Sequence, residues 1–199
     1  MKPLINILIR TSNRPDLFKR CLQSIYDQNY PNVRIIVSVD NDLVDYIPDG
    51  IETIRVQKNN LEFGYDLYIN SLKGMVNDGY FFCLDDDDTL TPNVLNELVL
   101  DAPAILVQIS HLDKLYPPKD KQVVNGNVIE IDKISNIGPG QVGFPCLILH
   151  HSLKNLADIK LGDKVSNDYV WISEIQSKVE LKFQPIILVV CDQKGNGCV

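Results

Sequence analysis

Apolar residues in the first half of the chain follow two patterns, short segments rich in apolar residues and segments with helical spacing. The short segments at residues 4–9, 33–39, 51–56 and 80–84 predict buried strands. Apolar residues three and four positions apart predict a helix over residues 17–25, directly after the first strand. Strands that alternate with helices are typical of a largely parallel sheet. Ligands of such sheets bind at the carboxyl ends of the strands.

The pattern continues with a helix predicted over residues 64–77 and a strand over residues 105–109. Between them, Thr91-Pro92 combines a helix cap with a proline suited to the first helical position. This pair predicts a helix with four apolar residues on one face: Val94, Leu95, Leu98 and Val99.

The second half of the chain is less regular. Paired turn residues at 117–118, 125–126 and 138–140 predict a hairpin and an exposed loop between residues 113 and 143. Regular elements return as a strand over residues 144–149, a helix over 167–178 and a strand over 185–190. Since no linker interrupts the chain, residues 1–199 are predicted to form one domain.

Composition and charge narrow the class of protein. The chain has 199 residues, of which 45% are hydrophobic and 23% charged, as expected for a globular domain. A net charge of −7 argues against binding to a nucleic acid, and an anionic ligand would need a cation beside it. Five cysteines without a CxxC pair predict neither a disulfide framework nor a zinc site, which favours a cytoplasmic location.

Hydropathy along the chain predicts no membrane span. The apolar run at residues 4–9 is too short for a signal peptide and ends in Arg10, so it is predicted to be a strand. No run of 18 apolar residues occurs. Peripheral attachment to a membrane stays open.

The strongest chemical signal is a run of four aspartates, Asp85 to Asp88, that directly follows the apolar strand at residues 80–84. Oxygen ligands of this kind suit Mg²⁺ or Mn²⁺. Because side chains two residues apart on an extended segment point the same way, Asp85 and Asp87 are predicted to act as a pair. Alternatively, the four aspartates form a solvated loop that caps the next helix and has no role in binding.

Three blocks of sequence resemble family-2-type glycosyltransferases with the GT-A fold. The first covers residues 5–41, where Thr11, Asn13 and Arg14 follow strand one. The resemblance implies a nucleoside site formed by those three residues with Asp40 and Asn41. The family's usual second acid is Asn41 here, and an Asn side chain offers both a donor and an acceptor to a base.

The second block, residues 59–88, resembles the family's glycine-containing helix and its metal motif. Gly64 and Asn70 stand at matching places, whereas Ile69 replaces the usual arginine. The resemblance implies that Asp85 faces the ribose and joins Asp87 as a metal ligand. Asp86 would either lie beside the nucleotide or hold the metal ligands in position.

The third block, residues 166–171, resembles the helix start that carries the family's catalytic base. This implies that Asp168 is the base, with Asn167 in place of the usual first acid. In a purely structural alternative, Ser166 or Asn167 caps the helix and Asp168 is a first-turn carboxylate stabilised by the helix dipole.

Together the blocks imply an α/β fold of GT-A type, a single Rossmann-like domain with a mainly parallel central sheet flanked by helices and a small C-terminal acceptor part. Residues 1–112 would bind a nucleotide-sugar, in the first instance a UDP-sugar, and residues 113–199 the acceptor. The implied reaction is an inverting transfer, dependent on Mn²⁺ or Mg²⁺, to a glycan, lipid or protein.

Two alternatives use the same residues. Asp85, Asp87 and Thr89 also resemble the first motif of haloacid-dehalogenase phosphatases, in which Asp85 would be the nucleophile and Asp87 an acid/base. The later signatures would be Ser110 and the pair Gly162-Asp163 together with Asp168. Against this, that motif normally opens its fold, whereas two strand-helix units precede it here. The second alternative, a non-catalytic nucleotide-sugar-binding module, is suggested by three departures from the family pattern: Asn41, Ile69 and Asn167.

Overall fold

A computed structural model describes residues 2–39, 44–56, 65–159 and 167–191. The first half has the alternation that hydropathy predicts, and each element lies within a few residues of its expected position. The elements are β1 (Ile5–Thr11), α1 (Pro15–Tyr26), β2 (Val33–Val39), β3 (Glu52–Arg55), α2 (Tyr65–Gly74) and β4 (Tyr80–Asp85).

The second half holds shorter elements and two single turns of 3-10 helix, at Phe144–Cys146 and His151–Leu153. Its strands and helices are β5 (Thr89–Leu90), α3 (Val94–Glu97), β6 (Ala104–His111), β7 (Lys114–Tyr116), β8 (Lys121–Val124), β9 (Asn127–Glu130), β10 (Leu147–His150), α4 (Asn167–Gln176) and β11 (Lys182–Cys191).

The large sheet has the strand order β3-β2-β1-β4-β10-β6-β11-β5, with β7 on β6. Its first four strands are parallel. Beyond them β10 runs antiparallel to both β4 and β6, whereas β11 is parallel to β6. The expectation of a mainly parallel sheet therefore holds for the first half only. The sheet as a whole is mixed because β10, from late in the chain, inserts between β4 and β6.

Buried apolar side chains from both halves form one continuous core. Helix α1 contributes the residues that its spacing predicted, among them Phe18, Leu22 and Ile25. Helix α4 buries Trp171, Ile172 and Ile175. The strand ends that matter for the site are thus held on a single framework.

The prediction of a helix after Thr91-Pro92 is correct for one turn only, Val94–Glu97, and wrong beyond it. The helix begins after Asn93, which has a φ of 60°, and ends at Leu98, which is extended with a ψ of 130°. Val99 is 54% exposed rather than part of an apolar face. The reason is that the side-chain amide of Gln184, on β11, bonds both the N–H and the C=O of Val99 in place of helical partners.

The predicted hairpin is present as a separate two-stranded sheet of β8 and β9. Asn125 and Gly126 connect the strands with φ values of 50° and 80°, as a tight two-residue turn requires. Its side chains are exposed, including Val123 and Val128.

No helix in the described part of the chain has the length and apolar character needed to span a bilayer.

Candidate active site

The carboxyl ends of β1 and β4 lie side by side, since these neighbouring strands are parallel and in register. Arg10 on β1 pairs with Asp85 on β4. After Asp85 the chain turns sharply, with the N–H of Asp88 donating to the C=O of Asp85 over 3.1 Å. This turn carries the four aspartates, and their side chains go to different partners.

Asp86 lies at the centre of a closed hydrogen-bonded network. Its carboxylate is fully buried and accepts from the Thr11 hydroxyl over 2.6 Å and from the guanidinium of Arg14. The Tyr46 hydroxyl lies 2.9 Å from the Thr11 oxygen and accepts from the N–H of Arg14 over 3.4 Å. Because Thr11 has one hydroxyl proton and directs it to Asp86, Tyr46 donates to Thr11.

Arg14 bridges two of the aspartates. Besides its ion pair with Asp86, it donates from Nη1 to Oδ2 of Asp87 over 2.9 Å. Arg20 binds the main-chain oxygen of Asp87. Asp87 is therefore oriented by two arginines of the β1-α1 region while its side chain stays 12% exposed. Asp88 turns away, and its Oδ2 accepts from the Cys191 thiol over 3.3 Å.

Asp85 is partly shielded from solvent and has a perturbed proton affinity. Burial raises its pKa to about 6, against the lowering effect of the Arg10 charge, and the charges of Asp87 and Asp86 raise it further. Burial also raises the pKa of Asp86, opposed by the Thr11 hydrogen bond and by Arg14. Carboxyls with raised pKa values in a cleft are typical of functional sites.

Asp168, in the first turn of α4, lies close enough to Asp85 for the two charges to interact, although 83 residues separate them in sequence. Burial and the charge of Asp85 raise the pKa of Asp168 to about 7, opposed by hydrogen bonds from the N–H groups of Asp168 itself and Phe144. Phe144 precedes β10. Since β10 is antiparallel to β4, its start lies at the carboxyl end of β4.

The raised pKa of Asp168 predicts that its carboxylate destabilises the metal-free protein above neutral pH. The folded state keeps the proton up to about pH 7, whereas the unfolded chain releases it near pH 4. Stability therefore falls as the pH rises through this window. Asp168→Asn is expected to raise the melting temperature at pH 8 by at least about 2–4 °C, the shift that corresponds to about 1 kcal/mol.

This difference between Asp168→Asn and the wild type should shrink towards pH 4, where both side chains are neutral in the folded and unfolded states. Thermal unfolding followed by circular dichroism over the pH range measures it. Glu174→Gln, on the same helix with its carboxylate paired to Lys178, is the matched control and should show little change. A melting difference for Asp168→Asn that is independent of pH would contradict the assignment.

A divalent metal fits the donors that this turn presents. Mg²⁺ usually binds through one or two carboxylates together with substrate phosphates and water. Asp85 and Asp87 supply that number of carboxylates, and the described residues contain no group of three or more histidines, cysteines or acids able to hold a metal. Two carboxylates therefore suit a cation whose other ligands come from a bound anion and from water.

The remaining predicted site residues have mixed placements. Asn13 is exposed in the loop after β1, with a φ of 51°. Asp40 and Asn41 lie outside the described residues, as do Gly64 and Ser166. Asn70 is described, and its side chain binds the backbone of Ile159. The roles predicted for Thr11, Asn13, Arg14, Asp40, Asn41 and Asp86 in holding a nucleotide stay predictions.

Sequence reasoning missed three residues that shape the site: Arg10, Arg20 and Tyr46. Arg10 had a usable signal, since it ends an apolar strand that the parallel arrangement places beside the aspartate run. Tyr46 had none, because its contact with Thr11 joins residues 35 positions apart through the loop after β2. Its ring also packs edge-on against Phe18, with centroids 5.7 Å apart.

Solved structures of low sequence identity share the fold of this chain. The structure of S. aureus TarS 1-349 in complex with UDP-GlcNAc has a TM-score of 0.69 at 11% identity, over 98% of this chain and 60% of that one. Mannosyltransferase PcManGT from Pyrobaculum calidifontis, in complex with GDP-Man and Mn²⁺, has a TM-score of 0.63 at 11% identity, over 100% of this chain and 59% of that one. The chain thus spans about three fifths of the length of these structures.

The family follows from the sequence itself. Residues 6–104 match the model of Glycosyl transferase family 2, a span that runs from β1 into β6 and contains the aspartate turn. The chain belongs to this family. No curated protein is significantly similar to it in sequence. The match covers Asp85, Asp87 and Thr89, the first motif of the phosphatase alternative, and it assigns them to a glycosyltransferase domain instead.

Proposed function

We propose that the chain is an inverting, divalent-metal-dependent glycosyltransferase that moves a sugar from a nucleotide-sugar to a glycan, lipid or protein acceptor. The observation that carries this proposal is the approach of Asp168 to Asp85. Asp168, whose carboxyl loses its proton near neutral pH, lies near the aspartate turn, and the donors of that turn suit a metal bound to a diphosphate. Residues 1–112 would bind the donor and residues 113–199 the acceptor.

Asp168 is proposed to act as the general base. The acceptor hydroxyl oxygen forms a bond to the anomeric carbon of the donor sugar, while the bond from that carbon to the diphosphate oxygen breaks. The electron pair of the broken bond leaves with the nucleoside diphosphate, and the hydroxyl proton passes to the Asp168 carboxylate. Attack from the face opposite the diphosphate inverts the configuration of that carbon.

Asp87 and Asp85 are proposed to hold Mn²⁺ or Mg²⁺. When bound, the metal would neutralise the charge that grows on the departing diphosphate. Arg14 holds Asp87 in place through its own anchor on buried Asp86. This support orients the metal ligand before the donor arrives, which lowers the cost of assembling the site.

Thr11, Asn13, Arg14, Asp40 and Asn41 are proposed to surround the nucleoside, with Asp85 towards the ribose. The Thr11 hydroxyl donates to Asp86, so it has only acceptor capacity left for a ligand. A UDP-sugar is the first donor to test. UDP-GlcNAc and GDP-Man, which occupy the two similar structures, are the natural probes. A cytoplasmic location belongs to the same proposal.

Calorimetric titration of the purified chain with UDP and with GDP tests the proposal, each with Mn²⁺ and with the metal chelated. One nucleotide is expected to bind in the presence of Mn²⁺ and to lose that binding on chelation. Release of the corresponding diphosphate from UDP-GlcNAc or GDP-Man, with water as the acceptor, then measures the chemical step. Failure of both nucleotides to bind with Mn²⁺ would refute the proposed function.

A further inference from the structure

Lys73 on α2 is buried, with 3% of its surface exposed, and the proposed mechanism does not use it. Burying an ammonium group is costly unless hydrogen bonds replace its water. Here Nζ donates to the C=O of Ala157 over 2.6 Å and to Oδ1 of Asp158 over 3.2 Å. The Asp158 side chain is 73% exposed, so the buried partner of the ammonium group is the Ala157 carbonyl.

The same carbonyl accepts a second hydrogen bond from α4. Nε1 of Trp171 donates to the C=O of Ala157 over 3.1 Å, and Lys73 Nζ lies 5.8 Å from the centre of the Trp171 ring. Trp171 is itself buried. Lys73, Ala157 and Trp171 therefore form one junction, which joins α2 to α4 through a single main-chain oxygen.

Asn70 extends the contact one turn earlier on α2. Its side-chain amide donates to the C=O of Ile159 over 2.9 Å and accepts from the N–H of Ile159 over 3.1 Å. Residues 157–159 are thus held against α2 at both ends. They are the last described residues before α4 begins at Asn167.

Trp171 lies three residues after Asp168, nearly one helical turn along α4. An indole held in place therefore fixes the first turn of α4, both its rotation about the helix axis and its position along that axis. This turn carries the carboxyl of Asp168. We propose that Lys73 and Trp171 are positioning residues that aim Asp168 at the reacting centre, with Asn70 holding the segment that leads into α4. This inference rests on the proposed function, since it assigns Asp168 the role of base.

Lys73→Met tests this role because it keeps the length of the apolar stem and removes only the ammonium group. The expected result is a fall in kcat of about 10- to 100-fold for hydrolysis of UDP-GlcNAc or GDP-Man, the scale of a base displaced by about 1 Å. The dissociation constant of the matching nucleotide with Mn²⁺ should not change. Emission of Trp171, the only tryptophan in the chain, should shift, since a charge near its ring is lost.

Lys154→Met is the matched control. Lys154 also donates to main-chain oxygens near the end of α2, at Gly74 and Val76, and to the side chain of Asn77. The hydrogen bonds to the Ala157 carbonyl come instead from Lys73 and Trp171. Lys154→Met is expected to lower stability without a comparable loss of kcat. If both variants lose kcat to the same extent, or if Lys73→Met keeps the wild-type kcat and Trp171 emission, the positioning role is overturned.

Two further variants separate this role from a general loss of folding. Trp171→Phe keeps the aromatic packing and removes only the Nε1 donor, so kcat should fall with nucleotide binding intact. In Asp168→Asn, adding Lys73→Met should cost no further activity, because residues that act as a unit are not additive. A full additional loss in the double variant would overturn the inference, whereas a wild type that binds neither UDP nor GDP with Mn²⁺ contradicts the proposed function itself.

Discussion

Asp168→Asn is expected to lower the rate of sugar transfer by about 10²- to 10⁴-fold, the usual contribution of a general base. The amide has nearly the same shape as the carboxyl and can still accept from the N–H groups of Phe144 and residue 168, but it cannot take up the acceptor proton. Nucleotide binding with Mn²⁺ should not change, since Asp168 contacts neither the base nor the diphosphate in the proposed mechanism.

Diphosphate release from UDP-GlcNAc or GDP-Man measures the rate of Asp168→Asn, and calorimetry measures its binding. Glu174→Gln serves again as the control, because it removes a carboxylate from the same helix, one that pairs with Lys178 four residues later. A variant Asp168→Asn that transfers sugar at the wild-type rate would remove this residue from the mechanism and leave the base to be found elsewhere.

Asp87→Asn is expected to weaken Mn²⁺-dependent nucleotide binding by about 100-fold or more. The physical reason is that an amide oxygen lacks the charge with which a carboxylate holds a hard cation, and metal contacts at such sites contribute several kcal/mol. Arg14 would also face a neutral amide in place of a carboxylate, which weakens its ion pair and loosens the orientation of the turn. The loss should appear only with Mn²⁺ present.

The control for Asp87→Asn comes from the same turn. Asp88→Asn removes a neighbouring buried carboxylate that faces Cys191 instead of Arg14, so it should keep most of the Mn²⁺ dependence. Calorimetry with UDP and GDP, with and without a chelator, compares the two. Equal losses in both variants would mean that the total negative charge of the turn matters rather than a particular ligand.

The sequence by itself was sufficient for the framework of the donor half. The segments at residues 33–39 and 80–84 identified β2 and β4 because most of their positions are apolar, as expected for strands of a parallel sheet that is covered on both faces. The aspartate run was recognisable because charges that directly follow such a strand emerge at the sheet edge where ligands bind. Two of the three blocks that resemble glycosyltransferases lie in this half, and so does the family match.

Only the tertiary structure decided which distant segments of the chain are in contact. Hydropathy cannot show that β10 inserts antiparallel beside β4, that Gln184 ends α3, or that Tyr46 completes the network of Thr11 and Asp86. It also cannot show that Asp168 reaches Asp85. These contacts join residues 35 to 85 positions apart in the sequence, and a local pattern does not encode such contacts. Local periodicity determines which face of an element is buried, whereas the site depends on which buried faces meet.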